Sequence, residues 1–131
     1  MQLYVDTSAL VKLIVIEPES SALRSYLGQL PSDSQFTSAL ARSELIRAVA
    51  RHGSIEAVAH ARRVLAKLDL VPLNNKLLDT AATLMPPELR TLDAINLAAA
   101  RTAPELRAMV TYDSRLAEAA ANAGIAVVGP R

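Results

Sequence analysis

The stretch that most narrows what this chain can become is its start, Leu3-Tyr4-Val5-Asp6-Thr7-Ser8-Ala9-Leu10-Val11-Lys12. An apolar run leads straight into an acid. A hydroxyl pair and an apolar helical pattern through Leu10, Val11, Leu13 and Ile14 follow, which reads as strand, sharp junction, helix. Asp6 then closes a first strand. In open α/β sheets, ligands and chemistry gather at the carboxyl ends of strands. Thr7 and Ser8 are expected to cap the helix, whose first N–H groups favour an ionised Asp6. A recessed, ionised carboxylate is suited to holding a metal.

The remainder of the chain repeats this alternation. A break at Glu17-Pro18-Glu19-Ser20-Ser21 precedes a helix over Ala22–Leu30, and Gln35–Ser38 is a short strand. A helix is expected from Ala39 to His52 with Gly53 just past its end, then another from Ser54 with its core stripe at Ile55, Val58, Ala61, Leu65 and Leu68. Leu70–Leu73 reads as a strand that Pro72 places at an edge or end. Asn74 or Asn75 caps a helix reaching Leu84 or Met85. Pro86-Pro87 forces a loop before a helix over Leu89–Thr102. Ala108–Asp113 is a fourth strand, Ser114–Ala123 a helix closed by Gly124, and Ile125–Val128 a fifth strand. Such alternation implies a three-layer α/β/α architecture, a central parallel sheet of about five strands with helices on both faces.

At 131 residues, 51% of them apolar, the chain is expected to form one domain over 1–131 with a substantial core. A net charge of +1 argues neither for nor against nucleic acid, so the placement of charge has to decide. The absence of cysteine removes thiolate metal sites and a cysteine nucleophile. A strand starting almost at Met1 leaves no room for a signal peptide, and no apolar run approaches the roughly 20 residues of a membrane span. A cytoplasmic location is the expectation.

Asp6 and Asp113 end strands at the same edge of the inferred sheet. Like charges in one cleft raise each other's pKa, and a divalent cation relieves that penalty. Glu44 lies at the border of the Leu45, Val49 and Ala41 stripe, with Arg47 and Arg51 three and seven residues on. Asp93 opens a late helix with Asn96 and Leu97 on its face. Each acid alone has a plainer reading, since three stand where capping aspartates stand and Glu44 could pair with its arginines on a solvated face. His52 and His60 read as helix-end and surface residues. The set of four acids is what points to chemistry, and with oxygen ligands alone it favours Mg²⁺ or Mn²⁺ over zinc.

Val5 to Leu10 (Val-Asp-Thr-Ser-Ala-Leu), Ser43 to Leu45, Leu92 to Ala98 (Leu-Asp-Ala-Ile-Asn-Leu-Ala) and Thr111 to Leu116 (Thr-Tyr-Asp-Ser-Arg-Leu) together resemble the PIN-domain nucleases, and within them the VapC-type toxins of toxin–antitoxin pairs. The resemblance spans the whole chain. It implies a PIN-like fold and a Mg²⁺- or Mn²⁺-dependent endoribonuclease that cuts structured RNA such as tRNA or rRNA, inhibits translation, is restrained by a VapB-type antitoxin and forms a homodimer. Carried over, the acidic site falls on Asp6, Glu44, Asp93 and Asp113, with Asp6 and Asp93 the most constant metal ligands and Ser8 and Thr111 supporting hydroxyls. Asn96 departs from the histidine that many relatives carry three residues after the acid, and asparagine cannot titrate near neutrality.

Nearness in sequence to the acids nominates Lys12, Arg42, Arg47, Arg51, Arg90 and Arg115 for RNA phosphate. Four aromatics, Tyr4, Tyr26, Phe36 and Tyr112, are too few for a base-stacking platform, which favours recognition of RNA by shape. Leu13–Ile16, or the helices over Ala22–Leu30 and Ala39–Ala50, could serve as dimer face or antitoxin groove, and read equally as core. Of the rival enzymes, a haloacid-dehalogenase-like phosphatase wants an acid where Ser8 stands. A receiver domain wants its acid where Asn74 and Asn75 stand. From another class, the same fold could be a catalytically inactive PIN-like module that binds RNA or an antitoxin, a reading that retention of four acids disfavours.

Overall fold

The structure is a computed structural model that describes residues 1–131. Its elements run β1 (Gln2–Val5), α1 (Thr7–Lys12), α2 (Ser20–Gly28), β2 (Ser34–Ser38), α3 (Ala41–Ala50), α4 (Ile55–Ala66), β3 (Asp69–Val71), α5 (Asn75–Ala82), α6 (Thr91–Ala100), β4 (Leu106–Val110), α7 (Ser114–Asn122) and β5 (Val127–Val128). The ends obey local chemistry. Ser54 and Asn74 cap α4 and α5 through side-chain oxygens that accept from the N–H of Ala57 and Leu77. Gly53 and Gly124 follow α3 and α7 at φ +74° and +81°, a left-handed conformation that only glycine adopts without strain.

All strand pairs are parallel, in the order β3-β2-β1-β4-β5. The chain builds outward from β1 to β3, then returns to lay β4 on the other side of β1. That reversal makes the β1/β4 boundary the topological switch point, where a crevice opens at the strands' carboxyl ends.

Alternation along the strands splits the core in two. Leu3, Val5, Ala108 and Val110 face α1 to α4 and join Leu10, Leu23, Leu45, Val49 and Leu65. Tyr4, Phe36 and Met109 face α5, α6 and α7 and join Leu77, Leu97 and Leu116. The three-layer parallel architecture expected from the sequence is the one observed.

Three local expectations change. The cap of α1 is Asp6 itself, not Thr7 or Ser8, because its carboxylate accepts the Ser8 N–H. Ile55 is 83% exposed rather than core, since it lies outside the cluster that Ala61 and Leu65 join and that Ala57 and Val58 pack against. Helix α6 has no solvated face past its first turn, every residue from Asp93 to Ala100 being buried, so the face that carries Asp93, Asn96 and Leu97 is covered as fully as the rest.

Candidate active site

Two strand ends supply the floor. β1 and β4 are register partners at Val5 and Val110, so the residues that follow, Asp6 and Thr111, leave the sheet side by side. Asp6 Oδ2 accepts three bonds: from the Ser8 hydroxyl at 2.7 Å, the Thr111 hydroxyl at 2.9 Å and the Ser8 N–H at 3.3 Å. Both hydroxyls are themselves oriented, Ser8 Oγ accepting from the Tyr112 N–H at 2.8 Å and Thr111 Oγ1 from the Asp113 N–H at 3.1 Å. Each spends its single hydrogen on the same oxygen. Oδ2 is therefore saturated, while Oδ1 takes no bond from the protein.

Asp113 repeats the division of labour. As the cap of α7 its Oδ1 accepts from the N–H groups of Arg115 at 2.9 Å and Leu116 at 3.2 Å, and Oδ2 is free. Capping and chemistry are thus not alternatives here, because a carboxylate has two oxygens and the helix uses one. Glu44 reaches in from α3, accepting the Thr7 hydroxyl at 3.2 Å. Burial, with the charges of Asp6 and Asp113 adding to it, pushes the Glu44 carboxyl above its ordinary range despite that bond. Asp93 comes from α6 in the opposite layer and is bound by Arg90 alone.

All four acids line one cleft of about 770 Å³, over the β1/β4 switch point between the two helical layers. Beneath it the buried Tyr4 hydroxyl donates to Asn96 Oδ1, and Asn96 Nδ2 to the Leu92 carbonyl at 3.0 Å. Burial pushes the Tyr4 phenol up to about 12, so it stays a neutral donor. Asn96 is in this way a fixed part of the wall. A second cavity of about 600 Å³, between α5, α6 and the β2/β3 edge, includes a single carboxylate, Asp69.

The basic residues divide. Arg51 and Arg90 line the cleft, whereas Arg42 and Arg47 are exposed and do not, and Arg115 lines a neighbouring cavity that shares Arg90 and Asp93. Lys12 lines the cleft too, but its ammonium sits 2.8 Å from Glu19 and 3.6 Å from Glu17 and lies over the Tyr112 ring. Burial disfavours that charge, and the hydrogen bond to Glu19 with the two carboxylate charges outweighs it, holding the pKa above its usual value. His52, set aside in the sequence as a helix-end residue, lines the cleft beyond the end of α3. Its place directly after Arg51 was the only signal in the sequence.

The PIN domain profile matches residues 3–122, the span that carries all four acids. This chain belongs to the PIN-domain family. Its relatives place it among the VapC-type members: Ribonuclease VapC46 of Mycobacterium tuberculosis is 48% identical over 129 residues, covering 98% of this chain and 97% of the relative. Ribonuclease VapC47 of the same species is 44% identical over 133 residues, covering 98% and 96%. The backbone of this PIN domain also matches the crystal structure of M. tuberculosis VapC20, a Sarcin-Ricin loop cleaving toxin, at TM-score 0.76 and 18% identity, over 98% of this chain and 99% of that one. It matches VapBC2 from Rickettsia felis, bound to a promoter DNA fragment, at 0.69 and 16% identity over 100% of both. These two distant matches concern the fold.

PIN-domain ribonucleases generally use divalent metal ions, and the donors here suit one. The cleft offers carboxylate oxygens, three of the four acids have an oxygen free of protein bonds, and no thiolate competes. No three acids close on a single point as a ready cage. A small hard cation that keeps several of its waters, and takes one or two carboxylates plus substrate phosphate, needs no such cage.

Proposed function

We propose that this PIN domain is the endoribonuclease toxin of a VapBC-type pair, hydrolysing phosphodiester bonds in structured RNA with Mg²⁺ or Mn²⁺ bound in the cleft of Asp6, Asp93, Asp113 and Glu44, each ion by one or two of them. It acts as a single domain over 1–131, pairs with a VapB-type antitoxin and assembles as a homodimer. The observation that carries the reading is the unshared oxygen of Asp6, a buried carboxylate clamped on one side by Ser8 and Thr111 and left open on the other. Relatives named as ribonucleases over nearly the full length support the activity. No helix is long and apolar enough to cross a membrane, which agrees with a cytoplasmic RNA target.

The chain's own contribution is positional. Ser8 and Thr111 hold Asp6 in one orientation, the α7 N-terminus does the same for Asp113, and enclosure of α6 does so for Asp93. When bound, a divalent cation supplies Lewis acidity to the phosphoryl oxygens and lowers the pKa of a water. Glu44, whose carboxyl burial and its acidic neighbours hold above its ordinary range, is assigned the proton-exchange role. Arg51 offers charge at the cleft wall for the RNA backbone.

Purified protein incubated with tRNA and rRNA fragments and Mn²⁺ is expected to release ends carrying 5′-phosphate and 3′-hydroxyl, with Asp6→Asn and Asp93→Asn inert. Cyclic phosphate ends would show attack by the RNA's own 2′-OH. A wild type that binds but never cuts across a broad RNA panel would leave an inactive binding module.

A further inference from the structure

Arg90 is the basic residue that touches one of the four acids. It stands just before α6 as the N-cap residue, with no capping bond from its side chain, and folds back over the first turn onto Asp93. The contact is fork to fork: Nε lies 3.0 Å from Oδ2 and Nη2 3.3 Å from Oδ1, so both oxygens of Asp93 are taken. The partners differ in freedom. The Asp93 side chain is 9% exposed and Arg90 50%, so the carboxylate is fixed and the guanidinium can leave.

A guanidinium keeps its proton under all ordinary conditions. Each oxygen of Asp93 keeps a second lone pair, but a cation placed there meets a permanent positive charge on the same carboxylate, and that repulsion favours the guanidinium's departure. An ion pair half open to water is weak enough to be displaced. Arg90 also has somewhere to go, because it and Asp93 border the adjoining cavity of about 370 Å³, whose wall holds Arg115 together with Glu88 and Glu118. Beside Arg115, its freed donors match the geometry of a phosphate, which Arg grips in a bidentate manner.

We propose that Arg90 is an exchangeable counter-ion: it neutralises Asp93 while the cleft holds no divalent cation, and transfers to an RNA phosphate when Asp93 is engaged. This side chain then adds to the way metal and RNA promote each other's binding, equally in both directions. The proposal rests on Asp93 being a metal ligand.

Mn²⁺ binding, followed by the EPR signal of the free ion, tests it in the full-length protein with and without a fully phosphorothioate RNA hairpin. Without RNA, Arg90→Ala is expected to bind Mn²⁺ about two- to fivefold more tightly than wild type, the factor a half-exposed ion pair contributes. The hairpin should tighten Mn²⁺ binding several-fold more in wild type than in Arg90→Ala, where only direct phosphate ligation remains, with Arg90→Lys, which keeps the charge without the fork, in between. Equal or weaker Mn²⁺ binding by Arg90→Ala, or full coupling retained in it, overturns the exchange. Asp93→Asn that binds Mn²⁺ as wild type does would instead remove Asp93 from the metal site, and the underlying reading with it.

Discussion

At the amino-terminal rim of the sheet, Asp33 accepts two bonds from the Arg107 guanidinium on β4 and one from the Met1 ammonium at 3.3 Å. At the carboxyl-terminal rim, Asp6, Glu44 and Asp113 share a cleft in which no basic side chain bonds to any of them. The pKa directions follow. The Arg107 hydrogen bond holds Asp33 below the usual carboxylate range, whereas burial and neighbouring acids push Glu44 above it. Lys12, within reach of the second rim, is instead neutralised by Glu17 and Glu19. One end of the sheet balances its charge to hold the fold, and the other leaves an imbalance that a cation and a polyanion can relieve together. Unbalanced charge, rather than charge itself, marks the working end.

The largest effect should come from Asp6→Asn. Asparagine still caps α1, so the melting temperature should barely move. RNA cleavage should fall about a hundredfold or more, since disturbing only the outer support of a metal ligand already costs about ten- to a hundredfold. Retained cleavage would break the contrast between the rims. Asp33→Asn should do the reverse, lowering the melting temperature by a few degrees without altering cleavage per folded molecule. Because the Asp33 pKa is depressed, its stabilisation is present above the ordinary carboxylate range and lost as pH falls through the lowered value. Melting curves of wild type and variant should thus converge in acid.

A third, smaller effect separates two arginines. Arg51→Ala should weaken RNA binding several-fold and lower the salt slope by about one, with Arg47→Ala indistinguishable from wild type in the same titration. The smallest concerns Glu44→Gln in metal-free protein. The raised carboxyl takes up a proton on folding, so wild-type stability falls as pH rises from the ordinary carboxylate range through the raised value. Glutamine removes that fall, and the variant should melt a degree or two higher at neutral pH. A lower melting temperature would show that the cleft carries no electrostatic strain at Glu44.

Much of this was legible from residues alone. Parallel strands share their carboxyl ends, so Asp6 and Asp113 had to meet once the alternation of strands and helices was recognised, and Gly53 and Gly124 marked their helix ends. What escaped depended on direction within a turn. Arg51, seven residues after Glu44, lies about 20° from it around an ideal helix, whereas Arg47, three residues on, lies about 60° away, and the cleft takes only the first. Lys12 escaped because its partners lie across the break after α1, which periodicity does not describe. The exposure of Ile55 and the enclosure of Asn96 depend on which neighbours cover a helix. Spacing along the chain carries no such information. His52 enters the cleft because α3 ends beside it, a matter of helix length rather than residue type.

The enclosure of α6 has a consequence for how this molecule fails. With Asp93 to Ala100 surrounded by Phe36, Leu77 and Leu116 and packed against β2, α5 and α7, no partial opening frees this helix alone. Its amide hydrogens should exchange with solvent only through global unfolding, among the slowest in the protein. Heating should then switch the catalyst off along the same curve that melts the fold, with no warmed, intact, inactive species in between.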